Sequence, residues 1–216
     1  MELLEAMQAR HSVRRYTDEK IGADVADALR AELDAINAES GLHFALFTDE
    51  ETGFAGKLHN VKNYIVFAGS GKNLDERIGY YGARAMLKAQ MLGLNSCWVA
   101  LSFNKGAVEK LMTLASGEKI VNALAVGYGE TQGNPHKNKP IEKLCSCDGE
   151  MPDWFKKGMD CVLLAPTAIN QQKFVFTLKN GELTVKAKLG PCFKIDLGIV
   201  KYYFEIGSGK TVFKAE

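Results

Sequence analysis

The chain has 216 residues, 46% of them hydrophobic and 25% charged, with a formal net charge of +1. That length suits one domain, residues 1–216, able to bury roughly 70% of its unfolded surface, and the balanced charge excludes a general nucleic-acid binder. No apolar run approaches the ~18 residues of a membrane span, and five cysteines, an odd number in a chain of this size, argue for reduced thiols rather than a disulfide framework.

Met1 to Ala9 reads as a helical opening that runs into Gln8-Ala9-Arg10-His11-Ser12-Val13-Arg14-Arg15-Tyr16. The acidic start, Met1-Glu2-Leu3-Leu4-Glu5, lacks a signal-peptide pattern, so a cytoplasmic protein is expected. Three arginines, a histidine and a serine within six residues supply cations and a hydroxyl to one small volume. Arginine's planar fork suits a phosphate; a solvated basic turn is the alternative. Ala23 to Ala38 predicts a helix with Val25, Leu29, Leu33 and Ile36 near one face, stopped at Ser40-Gly41. Leu42 to Phe47 alternates like a half-buried strand, and Tyr64 to Ala68 reads as a buried one. Lys57 stands before that second strand, with Lys62 nearer to it; either can be a plain surface lysine.

The longest predicted helix covers about Asp75 to Leu92, where Gly79, Gly82, Ala83 and Ala85 permit close helix packing. Gly93 stops it, and Cys97 to Leu101 reads as a strand whose Trp98 belongs to the core. A further helix is expected over Asn104 to Ser116, then a buried strand over Lys119 to Gly129. Gly127-x-Gly129 is not a dinucleotide fingerprint, since no third glycine and helix start follow. The loop Pro135-His136-Lys137-Asn138-Lys139-Pro140 is basic, and Cys145-Ser146-Cys147 lacks metal-ligand spacing, so no metal is expected. Pro152 to Leu164 predicts a helix leading into Ala165-Pro166-Thr167-Ala168-Ile169-Asn170-Gln171-Gln172, a turn rich in hydroxyl and amide groups. Asn180-Gly181 between alternating runs predicts a hairpin. Phe193 to Ile206 predicts a helix apolar on most faces, hence deeply buried or an interface, and Thr211 to Ala215 a short closing strand. No internal repeat or linker is evident along the chain.

Four of these segments together resemble the nitroreductase family of FMN-dependent oxidoreductases. Arg10-His11-Ser12-Val13-Arg14 is similar to its N-terminal Arg-x-Ser-x-Arg/Lys run, Gly93-Leu94-Asn95-Ser96-Cys97-Trp98 to the turn ending its central helix, Ala123-Leu124-Ala125-Val126-Gly127-Tyr128 to its Ala-Leu-x-Leu-Gly-Tyr strand, and Pro166 to Gln172 to its Pro-Ser-Ser-x-Asn-x-Gln segment. The last segment sits late, beyond the long central helix, so the order of elements looks permuted, as in a divergent branch. Ala168 stands where a serine is usual and Lys173 where a proline is usual.

The resemblance implies an α+β fold, a mixed, mainly antiparallel sheet flanked by helices, in a homodimer with flavin sites shared between subunits. It implies that Arg10, His11, Ser12 and Arg14 hold the FMN phosphate and ribityl chain, and that Lys57 reaches the flavin pyrimidine edge. Backbone groups of Ala100 and Leu101 would approach the ring, and Lys137 and Lys139 would add a second phosphate clamp. Pro166, Thr167, Ala168, Asn170 and Gln172 would contact FMN from the other subunit. The implied activity is hydride transfer from NADH or NADPH through flavin to a small electron-poor acceptor such as a nitroaromatic or quinone, with no protein residue as general acid or base. Two other classes compete: a flavin-binding storage or sensing protein without NAD(P)H turnover, and a phosphate-ester enzyme using the same arginines. The absence of a carboxylate-rich metal motif speaks against the latter.

Overall fold

The computed structural model describes residues 1–50, 58–100 and 103–214. They form two compact units: Met1–Leu74 with Ala85–Asn134, and Asp75–Arg84 with Pro135–Glu216.

In the first unit, helix α1 (Leu3–Ala9) opens with a reciprocal capping box between Glu2 and Glu5. Helix α2 (Ala23–Ser40) buries Ala26, Leu29, Leu33 and Ile36, close to the face expected, and ends on Gly41 in the left-handed region at φ 65°. The Asn37 amide then bonds both backbone groups of Phe44 at 2.8 and 2.9 Å, tying the helix to the edge strand that follows. Strands β1 (His43–Phe47), β2 (Asn63–Gly69), β3 (Asn95–Val99) and β4 (Lys119–Gly127) make an antiparallel sheet in the order β1-β2-β4-β3. Every residue of β2 is buried. Full burial of a side chain such as Ile65, Val66 or Phe67 contributes about 1.5–3 kcal/mol, so this strand anchors the unit. Trp98 is half-buried, its ring 5.0 Å from Phe67 and its indole N–H on Met86 Sδ at 3.1 Å.

The helix expected over Asn104 to Ser116 is short: α4 covers Lys105–Glu109. Asn104 caps it through Ala107 N–H at 3.2 Å, and the chain leaves it in a turn at Lys110 and Leu111, with Val108 in the helix and Met112 beyond it both buried.

Helix α3 (Leu74–Met91) contributes its first turns to the second unit. There β5 (Cys145–Cys147), not foreseen as a strand, pairs parallel with β6 (Phe174–Lys179), which pairs antiparallel with β7 (Glu182–Ala187). The Asn180-Gly181 turn has both residues left-handed, at φ 52° and 76°, as the hairpin requires. The strands therefore divide into two sheets, with β5–β6 the parallel pair. Helices α5 (Asp153–Val162) and α6 (Phe193–Ser208) pack together, with Phe204 against Phe155 and stacked on Phe176 at 4.7 Å. The apolar α6 thus buries Ile195, Ile199, Val200, Tyr203 and Phe204 within its own unit, which supplies a use for that surface without a second chain.

Residues 211–214 form no strand. They are held instead by Glu205, whose carboxylate accepts Val212 and Phe213 N–H at 2.6 and 2.7 Å, and by Phe213 stacked on Tyr80 at 4.0 Å.

A structural repeat is present that the sequence does not display. Helix–strand–strand–helix occurs as α2-β1-β2-α3 and again as α5-β6-β7-α6. The closing helices both start from a non-glycine left-handed cap, Asn73 at φ 50° and ψ 26° and Cys192 at φ 52° and ψ 23°. Where they cross, Gly79, sixth in α3, lies against the carbonyl of Ile195, third in α6; Gly198, sixth in α6, lies against the carbonyl of Glu76, third in α3. Lys201 and Glu76 bridge the same crossing at 2.6 Å.

All five cysteines are free. Among the described residues no helix is long and apolar enough to cross a membrane.

Candidate functional site

The arginine-rich segment is extended, and its backbone is bonded on both sides. Val13 N–H donates to Ser96 O at 3.0 Å, His59 N–H to Arg14 O at 2.9 Å, Thr17 N–H to Tyr128 O at 2.8 Å and Glu130 N–H to Arg15 O at 3.0 Å. The Tyr16 hydroxyl donates toward Val13 O and Ala125 O at 2.9 and 3.2 Å, locking the turn beneath. Side chains on this ribbon are therefore presented by a rigid backbone.

Its three arginines differ in use. Arg15 is committed to Glu130 at 2.7 Å. Arg10 is 3% exposed, an unusual place for a guanidinium. Arg14 is exposed and has no carboxylate partner among the described residues, while His11 and Ser12 are half-buried beside it. Cys97, at the ribbon's edge on β3, has its thiol pushed up by burial, against the opposing pull of Arg14 and Arg10. Both guanidinium groups are near enough to Cys97 to act on its charge.

Three residues that the sequence did not mark as site residues hold this ribbon. Asn95 accepts Gly129 N–H at 2.9 Å and donates to Gln132 at 2.9 Å. Gly129 has no room for a Cβ, which would stand 2.7 Å from Val13 and 2.8 Å from Asn95. Gly133, left-handed at φ 72°, lets the chain pass His11 and Ser12. Ala100 sits half-buried at a bend just after β3. Lys57 and Leu101 lie outside the described residues.

The second candidate cluster is a knot in the second unit. Pro166 leads into Thr167, whose hydroxyl oxygen accepts Gln172 N–H at 3.0 Å. Asn170 and Gln172 side chains both donate to the Lys137 carbonyl, at 2.8 and 2.9 Å, and Gln172 also donates to Asn170 at 2.8 Å. The Lys139 ammonium bonds Gln171 O at 2.5 Å and Gln172 O at 3.3 Å. Lys137 and Lys139 thus meet this segment, Lys137 through its carbonyl and Lys139 as a brace. Ile169, Asn170 and Gln172 are all left-handed, at φ 47°, 54° and 43°. Asparagine adopts this region readily, but a β-branched isoleucine does not, and each such strained residue costs of order 1–3 kcal/mol.

Gln171 and Asp196 anchor the knot and were not foreseen. Asp196, in the first turn of α6 and 5% exposed, accepts Ala168 N–H at 2.9 Å and the Gln171 amide at 2.7 Å; that amide also donates to Pro191 O at 2.6 Å. An acid in the first turn of a helix apolar on most faces was the available signal. Burial pushes the Asp196 carboxyl up from 3.8 to about 6, against the pull of its two hydrogen bonds. Between those values the folded chain holds a proton that the unfolded chain has lost. This group's contribution is therefore greatest below about pH 4 and falls by roughly 3 kcal/mol as pH rises to about 6. Urea midpoints measured from pH 4 to 7 should show this decline, and Asp196→Asn should flatten it. An equal slope in both proteins would remove Asp196 as the cause.

The two clusters belong to different units. Among the described residues no group of three or more His, Cys, Asp or Glu is placed to hold a metal.

No curated protein matches the chain. Its fold is similar to a Thermotoga maritima protein described as a "putative nitroreductase", with a TM-score of 0.69 and 21% identity over 96% of this chain and 83% of that one. It is similar also to a Desulfovibrio desulfuricans protein described as a "putative nitroreductase in complex with fmn", with a TM-score of 0.55 and 18% identity over 70% and 99% of the two chains. A third similar structure, from Parabacteroides distasonis, is named for NADH dehydrogenase/NAD(P)H nitroreductase, with a TM-score of 0.53 and 22% identity over 66% and 95%. The family described as "Putative TM nitroreductase" matches residues 2–208, which takes in both units and both candidate clusters, and the chain belongs to that nitroreductase family.

Proposed function

We propose that the protein is an FMN-dependent oxidoreductase that draws electrons from NADH or NADPH. The observation that carries this reading is the backbone-bonded ribbon that presents buried Arg10 and exposed Arg14, with the Ser12 hydroxyl between them in sequence. Such a donor set fits a phosphate monoester. The FMN complex of the Desulfovibrio protein and the nicotinamide name of the Parabacteroides protein support the same cofactor and reductant.

FMN, when bound, supplies the capacity to take up and pass on a hydride. The chain's own residues bind and orient it. Arg10 and Arg14 grip the phosphate, with His11 and Ser12 completing the donors. By the family resemblance, Lys57 would supply a cation to the pyrimidine edge, and Ala100 and Leu101 would offer backbone groups to the ring. Pro166, Thr167, Ala168, Asn170 and Gln172 form a preformed wall whose amides are already oriented, with Lys137 and Lys139 bracing it. The acceptor is a small electron-poor molecule such as a nitroaromatic or quinone. Residues 1–216 act as a single domain in the cytoplasm.

Mixing the FMN-loaded protein with NADPH or NADH without oxygen tests the enzyme reading. The yellow colour should bleach rapidly and return when a quinone is added. Bound flavin that stays yellow would favour a storage or sensing role.

A homodimer with shared sites now rests on the family resemblance, since α6 is used within its own unit. Co-expressing Arg10→Ala chains with Asn170→Ala chains tests it. Restored flavin binding, with neither variant binding alone, is the expected result for a two-chain site. Persistent loss would assign both clusters to one chain.

A further inference from the structure

The second unit carries a basic pocket that meets the proposed flavin wall at Lys139 and Gln172 and reaches beyond it to Lys143, Lys173 and Lys188, which the flavin reading does not use. A cavity of about 460 Å³ is lined by Lys139, Lys143, Lys173 and Lys188, with Glu142 the one carboxylate. Cavities of roughly 300–1,000 Å³ suit small-molecule ligands. The four ammonium groups come from separate places: the loop before the Ile141–Lys143 turn, that turn itself, the residue before β6 and the residue after β7. They converge through tertiary structure, not through a basic run in sequence.

Two of the four are fixed by backbone oxygen: Lys139 on Gln171 O at 2.5 Å and Lys173 on Leu189 O at 3.0 Å. Lys143 and Lys188 have no carboxylate partner among the described residues. Lysines elsewhere that do pair with acids include Lys20 with Asp49, Lys62 with Asp18 and Lys201 with Glu76. Lys188 N–H donates to Lys173 O at 2.8 Å, which extends the Phe174–Ala187 register by one pair and sets two lysines opposite each other. Like charges directly opposite across a strand pair are destabilising. Besides Glu142 the lining offers no anion: the Cys145 thiol is pushed up by burial, then by Cys147 and Glu142, and so stays neutral, and the Ser146 hydroxyl is bonded to Thr177 at 3.3 Å.

We infer that this pocket binds a phosphate-bearing small molecule, with Lys143 and Lys188 as the principal cations and Lys173 as the fixed one. A diphosphate spans several ammonium groups at once, so the mutual repulsion of the lysines becomes attraction to the ligand. The diphosphate can belong to the nicotinamide dinucleotide or to a separate phosphorylated ligand. The inference does not rest on flavin chemistry, because binding is read with pyrophosphate alone.

The test is calorimetric titration of the purified full chain with pyrophosphate at low and moderate salt, beside a Lys143→Ala/Lys188→Ala variant and its Lys→Arg counterpart. Both lysines are exposed and outside the proposed flavin contacts, so the fold and FMN affinity should be kept. Pyrophosphate should bind the native protein, weaken with salt, and lose at least tenfold in the alanine variant, with recovery in the arginine one. Competition between pyrophosphate and NADPH, with a raised KM for NADPH in the alanine variant, identifies the dinucleotide as the source. Loss in the variant without competition identifies a separate phosphorylated ligand. Absent binding, or equal binding in native and alanine proteins, overturns the inference. So does abolition of pyrophosphate binding by FMN, which would make this the flavin's own phosphate site.

Discussion

Gly79→Ala and Gly198→Ala should each destabilise the protein by about 3 kcal/mol or more, at or above the upper end of ordinary overpacking. Each new methyl would meet backbone, not a side chain that can turn aside: the Ile195 carbonyl in one case, the Glu76 carbonyl and Tyr80 N in the other. Relief requires α3 and α6 to move apart, which would strain Lys201–Glu76 and the Tyr80–Glu205 bond at 2.6 Å. Alanine's better helix propensity returns only about 1 kcal/mol. Gly106→Ala is the control, since its Cβ would make only an ordinary 3.7 Å contact with Asn104; it should be neutral or slightly stabilising. Urea unfolding of the three variants decides the matter. If the two crossing variants unfold like the control, the close approach of the helices is wrong.

The second large effect is on cofactor binding. Arg10→Ala should lower FMN affinity about 100-fold and riboflavin affinity by far less. The FMN phosphate carries about −1.5 to −2 charges at neutral pH, and removing one partner of a buried charged pair typically costs 2–5 kcal/mol. Arg14 is exposed, and water screens its charge, so Arg14→Ala should cost less while keeping the same preference. Arg10→Lys keeps the charge but loses the fork, and should fall between alanine and the native residue. Flavin fluorescence titrations with FMN and riboflavin measure all of these, and a thermal melt of each variant confirms folding. Equal losses for the two flavins would show that Arg10 supports the ribbon and does not grip a phosphate.

Local rules, read from the chain, settled much of this protein. The apolar face of α2, the Gly41 stop and the Asn180-Gly181 hairpin follow from side-chain periodicity and from glycine and asparagine accepting positive φ. The uninterrupted apolar run of β2 marked the strand buried at every position. The Arg10–Arg14 motif and the Pro166–Gln172 segment were visible as clusters of donors, and their co-occurrence pointed to the family that matches residues 2–208.

Tertiary structure decided the rest, because it depends on what lies opposite each residue. Arg14 and Arg15 are the same residue type side by side, yet only Arg15 finds Glu130, 115 positions away. Small residues in α3 announced close packing but not its partner; the reciprocal seat of Gly79 and Gly198 exists only once α6 crosses α3. β5 is three residues long and owes its strand form to β6, too short a stretch for any periodicity to show. Asp196 and Gln171 carry the Pro166–Gln172 knot through bonds 25 to 28 positions apart, and Ile169 holds a conformation its own side chain disfavours. Such strain persists only where surrounding contacts over-determine the backbone, and no local reading of the chain contains those contacts.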